Sequence, residues 1–166
     1  MNLNLYLDFI FLMACVGIAC WDFLFYKIPN NAILGILFLA VLHLLMNSNG
    51  DLHHIMWTFF FSFVALLVSS GLSSFMFLGA GDGKYIAVAI LFVPLKSAFT
   101  FLIIMSLAGG LLGLFYKLYH AHISALKRYI GAQLPKRFEV IEETGKTVPY
   151  GVAITAGIIG AYILGS

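Results

Sequence analysis

Long apolar runs, broken by short polar or Gly/Pro-containing stretches, organise the whole chain. Six are separable, approximately Leu3–Trp21, Asn31–Met46, Ile55–Phe77, Tyr85–Val93, Ser97–Tyr119 and Val148–Leu164. A helix needs about 20 apolar residues to cross a hydrocarbon core of roughly 30 Å, and five of the runs approach that length. The pattern predicts an all-α, polytopic membrane bundle of about six transmembrane helices, a single domain over residues 1–166 with its N-terminus outside.

The fourth run is the short one. Counted from Asp82 to Pro94 it rises only about 20 Å as a helix. Fusing it with the fifth would make a helix of about 57 Å with Pro94 and Lys96 in its middle, where proline removes a hydrogen bond and clashes with the preceding turn. A tight turn at Pro94 is therefore expected, with six segments kept. From Ala121 to Thr147 the chain turns polar, and Ile123, Leu126, Tyr129 and Ile130 recur at helical spacing beside Lys127 and Arg128. That stretch, about 120–147, reads as an amphipathic helix on the cytoplasmic surface, more as an anchor against anionic lipid than as a guide for a substrate.

Composition agrees with the pattern. The chain is 62% hydrophobic and 10% charged, with a mean hydropathy of +1.02; soluble domains carry about 25% charged residues. A net charge of +2 says little by itself, and no nucleic-acid partner is expected. With the N-terminus outside, Lys27, Lys84, Lys117, Lys127, Arg128, Lys136, Arg137 and Lys146 all fall on the cytoplasmic side and only Lys96 outside, a strong positive-inside bias. The first run has no preceding Lys or Arg and ends in Trp21-Asp22, so it is expected to stay as a span. Cys15 and Cys20 lie off one helical face and form no Cys-x-x-Cys; they read as buried thiols acting as small apolar groups, with no zinc site or disulfide.

Against this background two acids stand out. Asp82 sits in Gly79-Ala80-Gly81-Asp82-Gly83-Lys84 between two apolar runs, and Asp22 closes the first run ahead of Lys27-Ile28-Pro29-Asn30. A carboxylate at the centre of a membrane helix costs roughly 2.5 to 3.5 kcal/mol, so an intramembrane acid calls for a function. The predicted topology puts both on the cytoplasmic side. Two carboxylates that approach in a low-dielectric site cannot both ionise and share a proton, which makes one a base and the other an acid. Such a pair can activate water against a peptide carbonyl. Gly79, Gly81 and Gly83 are expected to let the backbone bend and a substrate strand approach Asp82.

These segments resemble the type IV prepilin peptidases, the bacterial GxGD aspartyl proteases. The resemblance rests on Gly79-Ala80-Gly81-Asp82 with Lys84, on Asp22 with Lys27, Ile28, Pro29 and Asn30, and on Val148-Pro149-Tyr150-Gly151, which is similar to the family's opening of its last helix. It implies that Asp22 and Asp82 are catalytic, that no cofactor or metal is used, and that the partner is a prepilin with a short basic leader at the inner membrane of a bacterium. The long members carry a four-cysteine cytoplasmic loop associated with N-methylation; this chain resembles the short peptidase-only members of the tight-adherence (Flp) type, and methyltransferase activity is not expected.

Plainer explanations stand beside these. Asp22 alone could cap a span at the interface, and Lys84 is as well explained by snorkelling as by holding an acidic group of a substrate. Lys27 and Asn30 fit a loop-shaping role better than substrate contact. Gly109 with Gly113, Ala153 with Gly157 and Gly157 with Ala161 are small-xxx-small pairs that helix packing explains. Asp51, His53 and His54 read as a solvated external turn, and His120 and His122 point to different sides of a helix. Two other functions compete, a proton-coupled carrier and a non-catalytic subunit of a secretion or pilus machine, though no internal repeat of the carrier kind is seen.

The topology has a direct test. After replacement of Cys15 and Cys20, single cysteines at Lys27, Gly83 and Arg128 should resist an impermeant thiol reagent in intact cells, whereas those at Asn49 and Ser166 should react. Labelling at 128 and protection at 49 would invert the bundle.

Overall fold

The computed structural model describes residues 3–48, 50–74, 79–130 and 148–165. Six α-helices make up nearly all of it: α1 (Leu3–Phe25), α2 (Asn30–Asn47), α3 (Leu52–Ser74), α4 (Ala80–Phe92), α5 (Ala98–Ile130) and α6 (Tyr150–Gly165), with a 3-10 turn at Leu95–Ser97. Four apolar stretches, Asn4–Phe25, Asn30–Asn47, Leu52–Ser74 and Leu95–Tyr119, are long and apolar enough to cross a membrane; α6 is apolar but shorter. Much of the outer surface is large and apolar, as with Phe9, Phe38, Phe63 and Leu111.

Local chemistry sets the helix boundaries. Pro29, in extended conformation, opens α2, and its carbonyl accepts the amides of Ala32 and Ile33. Asp51 caps α3, Oδ1 accepting the amides of His53 and His54 at 3.0 and 3.3 Å. The acid of the expected solvated turn is thus a helix cap. Val93 turns extended ahead of Pro94, which ends α4 and keeps it apart from α5.

The thirteen residues of α4 rise about 20 Å. This short helix is the centre of the bundle, packed on α2, α3 and α6. Every residue from Tyr85 to Phe92 is buried, so the run has no polar face. Two serines on α3 bond to its backbone, Ser62 Oγ to the Ala87 carbonyl at 2.7 Å and Ser69 Oγ to the Gly83 carbonyl at 3.2 Å. Around it, α1 packs on α2 and α6, and α5 packs on α6. Glycines bring the last pair close: a Cβ at Gly157 would meet Phe101 and Met105 at 3.0 Å, and one at Gly109 would meet Tyr150 at 3.1 Å. Among the described residues a Cβ at Gly113 would meet nothing within 4 Å, so only half of the expected Gly109/Gly113 pair serves packing.

Two further expectations are corrected. The amphipathic stretch does not begin as a separate element, because α5 continues unbroken through His120 and Arg128 to Ile130. No Gly or Pro interrupts residues 114–130, so nothing stops propagation of the helix. The rest of that stretch, 131–147 with Lys136, Arg137 and Lys146, lies outside the described residues, as do Asn49 and Ser166. Cys15 is buried, as expected for a small apolar group, but Cys20 is exposed on the outer surface.

The inward face of α1 runs Asp8, Phe11, Cys15, Ile18, Asp22, all buried, at alternating spacings of three and four. The stripe begins and ends on an acid. Asp8 was not anticipated as a site. Its Oδ2 accepts from the Tyr162 hydroxyl of α6 at 2.9 Å, and its Oδ1 lies 2.6 Å from His43 Nδ1 of α2, a close polar contact off the line of an ideal hydrogen bond. Asn47 Nδ2 is 2.9 Å from His43 Nε2, which suits the tautomer whose proton sits on Nδ1 and faces Asp8. The His43 ring also packs on Phe92, at the far end of α4.

Removing one partner of a buried pair leaves the other uncompensated, at a cost of about 3 to 5 kcal/mol, whereas removing both is close to neutral. His43→Leu should therefore lower unfolding stability in micelles by about 3 kcal/mol. The Asp8→Leu/His43→Leu double variant should recover more than half of that loss. A double variant as unstable as the sum of the single variants would show that the two side chains are not coupled.

Candidate functional site

Asp22 lies on the last turn of α1 and is 4% exposed. A carboxylate so placed needs hydrogen-bond donors, and the start of α6 supplies one: the Gly151 N–H donates to Asp22 Oδ2 at 2.7 Å across 129 residues of sequence. Amides of a first helical turn have no partner within their own helix and favour an anion, so Asp22 acts as a cap on α6 from another helix. Glycine at 151 is a spatial requirement. A Cβ there would meet Asp22 Oδ2 at 2.8 Å and Asp22 Cγ at 3.1 Å.

Asp82 lies on the first turn of α4, where Gly79 is the cap residue. Its Oδ2 accepts the Gly79 N–H at 3.1 Å, half of a capping box, since glycine has no side chain to complete the other half. Asp82 is half-buried at the head of α4, which packs at Gly81 against Ile28 of the α1–α2 connection, just past Asp22. Among the described residues no hydrogen bond joins the two carboxylates; each is held by a backbone amide instead. The two acids, sixty positions apart in sequence, share one end of the bundle.

The glycines around Asp82 differ from the expectation of a bending loop. Ala80 to Gly83 is the first turn of α4, and neither Gly81 nor Gly83 has a positive φ. What they supply is room: a Cβ at Gly81 would meet Ile28 Cβ at 3.3 Å, and one at Gly83 would meet Ser69 Oγ at 2.8 Å. Glycine here lets α4 press against α3 and against the α1–α2 connection.

That connection is tied in by polar contacts as well. Lys84 Nζ donates to Asn30 Oδ1 at 3.0 Å, linking α4 to the start of α2. Asn30 thus has a partner that the sequence did not reveal, and Lys84 gains a structural role that neither snorkelling nor substrate binding anticipates. Pro29 shapes the turn, and Lys27 is exposed. Tyr26, at φ 52°, is the one non-glycine in the left-handed region among the described residues, a conformation that costs roughly 1 to 2 kcal/mol. Its amide closes α1 on the Asp22 carbonyl at 2.8 Å, and its hydroxyl meets that of Tyr116 on α5 at 3.1 Å.

Sequence reasoning brought forward Asp22, Asp82 and their neighbours, and the fold gathers them. It missed the donor at Gly151, the Lys84–Asn30 link and the Tyr26–Tyr116 contact. The only available signal was the glycine after Pro149-Tyr150 at the head of an apolar run. Among the described residues no three His, Cys, Asp or Glu side chains converge as metal ligands. Two carboxylates at one end of the bundle, one buried and one half-buried, suit proton transfer to and from a small reactant such as water. No family model, curated protein or solved structure matches the chain.

The packing argument separates the glycines by outcome. Gly83→Ala should destabilise the protein by about 1 to 3 kcal/mol, the range for overpacking. Gly17→Ala, on an exposed helical face with nothing within 4 Å, should be neutral or stabilising by roughly 0.5 kcal/mol. Thermal unfolding of both variants in detergent checks the contrast, and equal midpoints would refute it.

Proposed function

We propose that the chain is an intramembrane aspartic endopeptidase that removes short basic leaders from prepilin-like substrates at the cytoplasmic face of a bacterial inner membrane. The feature that supports this reading is the position of Asp22 and Asp82 at one end of an apolar helical bundle, each held by a backbone amide. The substrate class comes from the resemblance of their flanking segments to the prepilin peptidases.

In this mechanism one carboxylate is ionised and the other protonated. The ionised one takes a proton from water as its oxygen attacks the scissile carbonyl, and the protonated one keeps its proton and stabilises the oxyanion through a hydrogen bond. Collapse of the tetrahedral intermediate breaks the C–N bond. The leaving amine takes up the proton gained by the base, and the pair returns to its starting charge. Gly151 and Gly79 hold the carboxylates in place through their amides.

A proton-coupled carrier is the second reading. The buried Asp8–His43–Tyr162 cluster at the opposite end favours it, since carriers place ionisable groups through their depth. The Phe11–Phe92 stack, with centroids 3.8 Å apart, stands between the two ends of the buried stripe and weighs against a continuous polar path.

Co-expression with a prepilin separates the readings. The protein should shorten the prepilin, and Asp22→Asn and Asp82→Asn should each abolish cleavage while still inserting at normal levels. Gly151→Ala, which pushes on the Asp22 carboxylate, should reduce cleavage by about 100-fold, the scale of a 1 Å misplacement. Full cleavage by a well-folded Asp82→Asn protein would remove the peptidase reading; an intact prepilin with proton-dependent uptake of a solute would favour the carrier.

A further inference from the structure

Below the acids lies a second buried polar group. Tyr85, fully buried on α4, has its hydroxyl 2.8 Å from Thr155 Oγ1 on α6. Thr155 Oγ1 is in turn 2.8 Å from the Gly151 carbonyl and 3.2 Å from the Cys15 carbonyl on α1, with Tyr85 Oη 3.5 Å from the same Cys15 oxygen. Two hydroxyl protons are available to serve these oxygens. Thr155 has one proton to direct at the carbonyls, so the arrangement that satisfies the group has Tyr85 donating to Thr155.

Each member lies in register with part of the candidate site. Tyr85 follows Asp82 by three residues, Thr155 follows Gly151 by four, and Cys15 precedes Asp22 by seven. At 3.6 residues per turn these are about one, one and two turns, so the knot sits directly beneath the acids on their own helices. It joins the three helices that carry Asp22, Asp82 and the Gly151 amide. Apolar packing tolerates small slides and rotations, whereas a buried hydroxyl that loses its partner is penalised in full.

We propose that Tyr85 and Thr155 are positioning residues that fix the height and rotation of α1, α4 and α6, and through them the separation of Asp22 and Asp82. The proposal rests on the two-acid reading above. Neither residue touches the reacting atoms. Their effect falls on alignment of the carboxylates and not on binding of a substrate's remote parts, so it belongs in kcat.

Tyr85→Phe and Thr155→Val keep the packed shape and delete the knot. With leader cleavage measured on folded protein, each should lower kcat by about 10- to 100-fold and leave KM within about twofold. Thr155→Ser, which keeps the hydroxyl, should return kcat to near the parent value. Because the two act as one unit, the double variant should be little worse than the weaker single one. An unchanged kcat, or a raised KM at constant kcat, overturns the proposal while cleavage by the parent and its loss in Asp82→Asn keep the peptidase reading. If the parent cleaves no prepilin, that reading fails, and the positioning claim is judged separately. In a protein with Cys15→Ala and Cys20→Ala, cysteines at 22 and 82 should then cross-link under mild oxidation with a yield that Tyr85→Phe changes severalfold; an identical yield with and without the Tyr85 hydroxyl overturns it.

Discussion

A carboxylate buried among apolar helices must be met by hydrogen-bond donors, and for Asp22 the donor comes from the far end of the chain. The 2.7 Å contact with the Gly151 amide joins the first helix to the last. It requires a residue without Cβ at 151 and sets where α6 may begin. It also brings the start of α6 to the end of α1, beside the start of α4. One electrostatic need thereby organises one end of the bundle.

The short α4 answers a different constraint. Its residues from Tyr85 to Phe92 are covered on all sides, so it forms the core around which the longer helices stand. A helix in that position needs close approach at its head, where Gly81 and Gly83 give Ile28 and Ser69 room. Asp82 is carried on this head. Its position follows from packing of the most enclosed helix, which supports a fixed site better than a free loop would.

The inward stripe of α1 reads as a sequence of polar levels separated by apolar ones. Asp22 lies at one end, the Cys15 carbonyl with Tyr85 and Thr155 in the middle, and Asp8 with His43 and Tyr162 at the other end. The Phe11–Phe92 stack divides the middle level from the last. Each polar level ties helices that are distant in sequence, which gives an otherwise uniform apolar bundle a definite register.

The sequence by itself determined the apolar runs that become helices, the break at Pro94 and the two acids with their flanking segments, though not that the fifth helix continues unbroken to Ile130. These follow from local rules: apolar run length, the missing proline N–H, and the cost of charge in an apolar stretch. It also placed both acids after odd-numbered runs, so that they fall at one end of an alternating bundle. Only the tertiary structure decided who pairs with whom. The Gly151–Asp22 bond, the Lys84–Asn30 bond and the Tyr85–Thr155 knot span 129, 54 and 70 positions. No periodicity encodes such distances. Asp8 was overlooked because a single acid near the start of an apolar run looks like an interfacial residue until His43 and Tyr162 are folded against it. The glycines were assigned flexibility because sequence reports the absent side chain; whether that absence gives freedom or close packing depends on the neighbour that three-dimensional folding supplies.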